Sequence, residues 1–218
     1  MTALRLHGVT IADANHHPVA GEGGQPGNGP SGPVAVSLIP FRDLCAVVSE
    51  QRAFALDDSS QDSIVAHRAV IDSIFRSAPV LPAPVGVVFR TPDVIKRWME
   101  LHYVSLSDAL AFVEDRAVAR VHILRGDGKA DELESGSDLA AAAAESLRAL
   151  RRKAAASVPL RLEQVTGLAL SAAFLIERDL WRDFQLAVDE QRDAHQRLQF
   201  DVTGPWAPYD FVRMQFGG

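Results

Sequence analysis

Cysteine is nearly missing from this chain: Cys45 is the single one among 218 residues, so no internal disulfide can form. It lies in an apolar, strand-like run, where a thiol serves as a small buried hydrophobe. Long apolar runs are missing too. The longest, around Leu168 to Ile176, falls well short of the roughly 18 to 20 residues of a membrane span. Met1 to Arg5 leads into a strand-like segment without the basic-then-apolar layout of a signal peptide, and a cytoplasmic location is expected. Basic charge is in deficit, with 22 Lys and Arg against 28 Asp and Glu, a net −6. That balance opposes nucleic acid and anionic membrane surfaces as partners, because both are held by clustered Lys and Arg.

Catalytic signatures are equally sparse. The sequence contains no Gly-x-Ser-x-Gly elbow and no His-Glu-x-x-His helix, and the glycines between Pro18 and Pro33 match neither a dinucleotide fingerprint nor a phosphate loop. His16-His17 has no second coordinating pair nearby, and His102, His122 and His195 are scattered. Asp57-Asp58-Ser59-Ser60 reads as helix-capping chemistry. No catalytic residue, cofactor or metal site is expected, and the reading is of a protein that is not an enzyme.

What remains is an ordinary globular composition, 47% apolar and 23% charged, long enough for two small domains. Strands are expected over Leu4 to Val9, Val34 to Ile39 and Leu44 to Ser49, the last two forming a hairpin. A helix over Gln61 to Ser77 should bury Ile64, Ile71, Ile74 and Phe75, with His67 on the same stripe. Val85 to Phe89 reads as a strand. Thr91-Pro92 starts one short helix, and Ser105 with Asp108 caps another. Beyond Asp115 the order is strand, helix, strand, strand, helix, strand, the ferredoxin-like βαββαβ arrangement. The fold class is therefore α+β in two domains: residues 1–115, an N-terminal α+β domain, and residues 116–218, a ferredoxin-like domain with an extended C-terminal tail.

That tail carries the sharpest signal. Phe200, Trp206, Tyr209, Phe211 and Phe216 are five of the fifteen Phe, Trp and Tyr residues of the chain, and Gly204, Pro205 and Pro208 stiffen the segment between them. Aromatics on a stiff, extended segment lose little entropy on docking. The segment serves either as a strap on its own domain or as a contact with another molecule.

Thr203-Gly204-Pro205-Trp206-Ala207-Pro208-Tyr209-Asp210-Phe211-Val212 resembles the C-terminal signature of the gas vesicle GvpL/GvpF family, departing from it only at Ala207. His67-Arg68-Ala69-Val70-Ile71, then Pro79 to Pro82 and Gly86 to Phe89, form a second shared element; Leu170 to Arg178, with Phe184 beyond it, forms a third. Pro84 and Val85 stand where the family usually has Arg and Phe. The resemblance implies two α+β domains, the second a modified ferredoxin fold. It also implies a non-enzymatic accessory or minor structural protein of gas vesicles, assisting shell assembly through contact with the shell protein GvpA and other accessory proteins. Trp206, Tyr209 and Phe211 are the contact residues this reading selects, with Trp181 and Phe184 assigned to the core. An interaction module of the same fold in another assembly, or a small-molecule-binding α+β protein, are the alternatives.

Overall fold

The computed structural model describes residues 2–12, 35–52, 60–126, 136–161, 167–214 and 216. The Pro18 to Pro33 loop, His16-His17 and the Asp57-Asp58-Ser59 group lie outside them. Contacts gather the chain into two compact units, Met1–Glu114 with Val212–Gly218, and Asp115–Phe211. Reading the sequence alone assigned the whole tail to the second domain; by contacts, its end groups with the first.

In the first unit, β1 (Thr2–Ile11), β2 (Val36–Phe41) and β3 (Leu44–Arg52) precede α1 (Gln61–Phe75), and β4 (Val80–Pro82), β5 (Val88–Phe89), α2 (Pro92–Leu101) and α3 (Tyr103–Val113) follow. The antiparallel sheet runs β2-β3-β1-β4, with β5 also paired to β1. The β2–β3 hairpin turns at Arg42-Asp43, Arg42 taking φ 55°. One face of the sheet carries Leu6, Val9, Ala46 and Val48 against Ile95, Trp98 and Met99 of α2 and Leu106, Leu110 and Val113 of α3. Val212, Met214 and Phe216 pack on this same core. Phe216 stacks on Trp98 with ring centroids 5.2 Å apart.

α1 covers the opposite face. A Cβ on Gly8 would come within 2.6 Å of the Leu81 carbonyl and 3.1 Å of Ile71, so glycine there lets helix and neighbouring strand approach. The buried stripe of α1 is Ser63, His67, Val70, Ile71 and Phe75. Ile64, expected on it, is exposed, because the helix turns its polar Ser63 to the sheet. The expected strand Val85 to Phe89 shortens to two residues, and Gly86 takes φ 91° before it. Thr91 caps α2 as expected, its Oγ1 accepting from Val94 N–H at 3.4 Å. Ser105 caps nothing: α3 already begins at Tyr103, with His102 preceding it.

In the second unit, β6 (Arg116–Arg125), α4 (Gly136–Arg151), β7 (Ala156–Pro159), β8 (Leu168–Glu177), a 3-10 turn (Arg178–Leu180), α5 (Trp181–Ala194) and β9 (Leu198–Trp206) follow one another. The sheet order β7-β8-β6-β9, antiparallel throughout, is the ferredoxin-like topology. Alternation along β6 and β8 sends Ala119, Val121, Ile123, Ala172, Phe174 and Ile176 to the helical side, where Ala143, Leu150, Phe184, Ala187 and Val188 meet them. Phe174 and Phe184, ring centroids 5.3 Å apart, anchor this core. Leu180 is exposed because it ends the 3-10 turn before α5 begins. Among the described residues no helix is long and apolar enough to cross a membrane.

Candidate functional site

The other face of the second sheet carries the residues of alternate parity: Val118, Arg120 and His122 on β6, Ser171, Ala173 and Leu175 on β8, and Asp201 and Thr203 on β9. Two helices fill the first face; the aromatic tail lies on this second one. Trp206 pairs with Val118 at the end of β9, and Trp206 and Phe211 both pack on Val118, Ala173 and Leu175. Between them the chain folds into a tight turn, with Tyr209 N–H donating to Ala207 C=O (2.8 Å) and Phe211 N–H to Pro208 C=O (3.1 Å). Ala207 and Pro208 are buried, while Trp206, Tyr209 and Phe211 are half-buried.

Two devices fix this strap. Arg120 donates from Nε to Asp210 Oδ2 (2.9 Å) and from Nη2 to Asp210 Oδ1 (3.1 Å), a bidentate fork that holds both position and angle. The Trp206 indole N–H donates to Thr203 Oγ1 at 3.1 Å. Gly204 sits at φ 139°, and a Cβ there would lie 2.6 Å from the Val118 carbonyl and 2.9 Å from the Trp181 ring. Glycine is thus required on both conformational and steric grounds. The Thr-Gly-Pro-Trp run has a physical content that its sequence only hinted at: hydroxyl for the indole, glycine for the Trp181 ring, and tryptophan for the sheet.

Of the three residues selected as contact candidates, Trp206 and Phe211 are brought together on the same apolar patch, and Tyr209 lies in the turn between them. Trp181 and Phe184 lie on the helical side, as assigned. Sequence reading did not pair Arg120 with Asp210, since 90 positions separate them and nothing in the tail signature around Asp210 names its partner.

His122, Ser171 and Asp201 occupy adjacent strands of this face, with His122 Nδ1 2.7 Å from Ser171 Oγ. A nucleophilic serine needs an open oxygen and a pair of oxyanion donors. Ser171 is only 5% exposed, closed to any substrate, so the group fits a cross-strand structural bond.

The first unit holds a second polar cluster, beneath α1. A register shift between Leu6 and Gly8 leaves His7 as the extra residue of a β-bulge, which aims its ring at the helix. His7 Nε2 lies 2.8 Å from Ser49 Oγ, and its ring centroid is 5.0 Å from that of His67. His67 Nε2 lies 3.0 Å from the Ala83 carbonyl; a carbonyl only accepts, so that nitrogen carries the proton. Arg5 donates to Gln51 Oε1 at 2.8 Å and to Ser63 Oγ. Burial, followed by the charges of His67 and Arg5, pushes His7 down to about 3. Burial also lowers His67, against an opposing pull from the Ala83 carbonyl. Both rings are therefore neutral at neutral pH. Burial raises the Cys45 thiol, which keeps it protonated. Among the described residues no group of three or more His, Cys, Asp or Glu is placed to hold a metal ion.

Comparison with known proteins agrees with this architecture. A family model described as gas vesicle synthesis protein GvpL/GvpF matches residues 7–165 and 128–213. The gas vesicle protein F2 of Halobacterium salinarum is 27% identical over 198 residues, covering 87% of this chain and 86% of that protein. The gas vesicle protein F of Haloferax mediterranei is 25% identical over 205 residues, covering 87% of each. The crystal structure of GvpF from an Anabaena species superimposes with a TM-score of 0.77 at 16% identity, covering 99% of this chain and 100% of that one. That of GvpF from Microcystis aeruginosa gives 0.73 at 13% identity, covering 97% and 99%.

Proposed function

The chain belongs to the gas vesicle GvpL/GvpF family, and from that premise we propose that it is a non-enzymatic accessory or minor structural protein that assists assembly of the gas vesicle shell. It works at the gas vesicle within the cytoplasm, by contact with the shell protein GvpA and with other accessory proteins. One observation carries the choice of surface: Trp206, Tyr209 and Phe211 are half-buried aromatics on a strap held by the Arg120–Asp210 fork. A rigid base beneath partly exposed aromatics is pre-organised, so a partner that covers them meets little ordering cost.

Co-sedimentation of the purified chain with shell subunits tests this reading. Wild type should retain the subunits, and Trp206→Ala should weaken retention about tenfold, with near-UV circular dichroism reporting that the second unit stays folded. Failure of the wild type to retain shell subunits overturns the function; undiminished retention by Trp206→Ala and Phe211→Ala overturns the surface.

A further inference from the structure

β9 ends the second sheet, and the ladder parity shows which of its backbone groups point away from β6. Gly126 N–H donates to Arg197 C=O at 2.8 Å, which makes that pair hydrogen-bonded and the next, Arg125 with Leu198, non-hydrogen-bonded. Continuing the alternation, Phe200 and Val202 direct their N–H and C=O groups outward. The Arg192 guanidinium confirms the phase, since Nη2 donates to the Phe200 carbonyl at 3.0 Å. Leu198 N–H is taken by the His195 carbonyl at 2.8 Å. The outward groups of Val202 open into a groove of about 410 Å³ between β9 and α5, lined by Trp181, Arg182, Gln185, Leu186, Asp189 and Arg192. The opposite edge, β7, is only four residues long and contains Pro159, features that discourage strand addition.

The helix beside the open edge is self-complementary. Arg182, Gln185, Leu186 and Asp189 are all exposed, and the spacing of three, four and seven places them on one stripe. The stripe is cationic at one end and apolar in the middle, and at the other end the exposed Asp189 carboxylate holds Arg192 one turn on at 2.5 Å. Trp181 lies on Gly204 and Arg192 reaches Phe200, so the middle of the stripe lies alongside Val202. A two-fold axis beside Val202 would bring Arg182 of one copy to Asp189 of the other and the reverse, set the two Leu186 side chains in contact, and pair Val202 with its own equivalent. Such reciprocity is the mark of an isologous interface.

We propose that this edge binds a second copy of the same chain, β9 joining β9 antiparallel so that the two sheets become continuous and the two α5 helices lie side by side. This goes beyond the shell-assembly reading and stands apart from it, since the dimer itself is measured without shell protein. Sedimentation velocity on the full chain should show a concentration-dependent dimer. Arg182→Asp and Asp189→Arg, each made alone, should raise its dissociation constant about tenfold by facing like charges; combined in one chain, they should restore it. Val202→Pro removes an outward N–H without touching the β6 ladder, and should leave a monomer. A wild type monomeric across the accessible range overturns the proposal, as does a dimer indifferent to the single reversals or not restored by their combination. A monomer whose Val202→Pro variant loses capture of shell subunits assigns the edge to a foreign strand and overturns it equally.

Discussion

Both sheets bury one face beneath a pair of helices, α2 and α3 in the first unit, α4 and α5 in the second, and their remaining faces are closed by different means. In the first unit a fifteen-residue helix, α1, is laid over a partly polar layer of Arg5, His7, Ser49, Ser63 and His67. In the second, a six-residue turn from Trp206 to Phe211 is laid over Val118, Ala173 and Leu175 and pinned by one ion pair. A helix satisfies its own backbone and can therefore cover polar side chains, provided these bond one another. A short strap satisfies little of its own, so it relies on apolar contact and on a few strong bonds at its ends. The first closure is consequently vulnerable to protons and the second to the loss of single side chains.

The largest effect should come from Gly204→Ala. Both the backbone angle and the crowding by the Val118 carbonyl and the Trp181 ring oppose a Cβ. The second unit should lose about 3 kcal/mol or more in denaturant melts followed by Trp206 fluorescence. Unchanged stability would mean that the strap is not seated as described.

Acid should break the other side of the comparison. The unfolded chain takes up protons near the ordinary histidine value of 6.5, whereas the first unit holds His7 neutral down to about 3. The unfolded state binds more protons in that window, so stability is complete above 6.5 and declines as pH falls through it. About 2 kcal/mol should be gone by about pH 5, seen as amide exchange accelerating in α1 before the second unit. His7→Gln should flatten this dependence; an unaltered pH profile would place the acid sensitivity elsewhere.

Asp210→Ala should loosen the strap by about 1–3 kcal/mol, leaving Arg120 unpaired on the sheet. Hydrogen exchange confined to residues 206–211 would register it, while the first unit keeps its protection. Smallest of all, Thr91→Ala should remove about 1 kcal/mol from the first unit through the α2 cap. A loss spread over both units in either variant would blur the contrast between the two closures.

The parts legible in the sequence are those written in local chemistry. Thr91-Pro92 carries its own cap and its own fixed φ. The period of Leu139, Ala143, Leu147 and Leu150 announces the buried face of α4, and the alternation of β6 and β8 announces two faces of a sheet. The strap was legible as a motif, together with its glycine. Its partner groups were not, because nothing marks Arg120 and Asp210 as a pair until the chain brings them within 3 Å. His7 was overlooked for a related reason. A bulge shifts the alternation by one residue, and nothing in Leu6-His7-Gly8 says that the shift occurs there.

Local periodicity, caps and turn residues thus determined the elements of this protein, their order and the ferredoxin-like connectivity of its second half, since each depends on neighbours a few positions away. Only tertiary structure decided that Val212, Met214 and Phe216 join the core of the first unit, that His7 meets His67, and that β9 is left as an open edge beside a self-complementary helix. Those outcomes depend on which surfaces come within contact range after folding, and contact between residues far apart in the chain, such as His7 and His67, leaves no periodic trace in the chain that makes it.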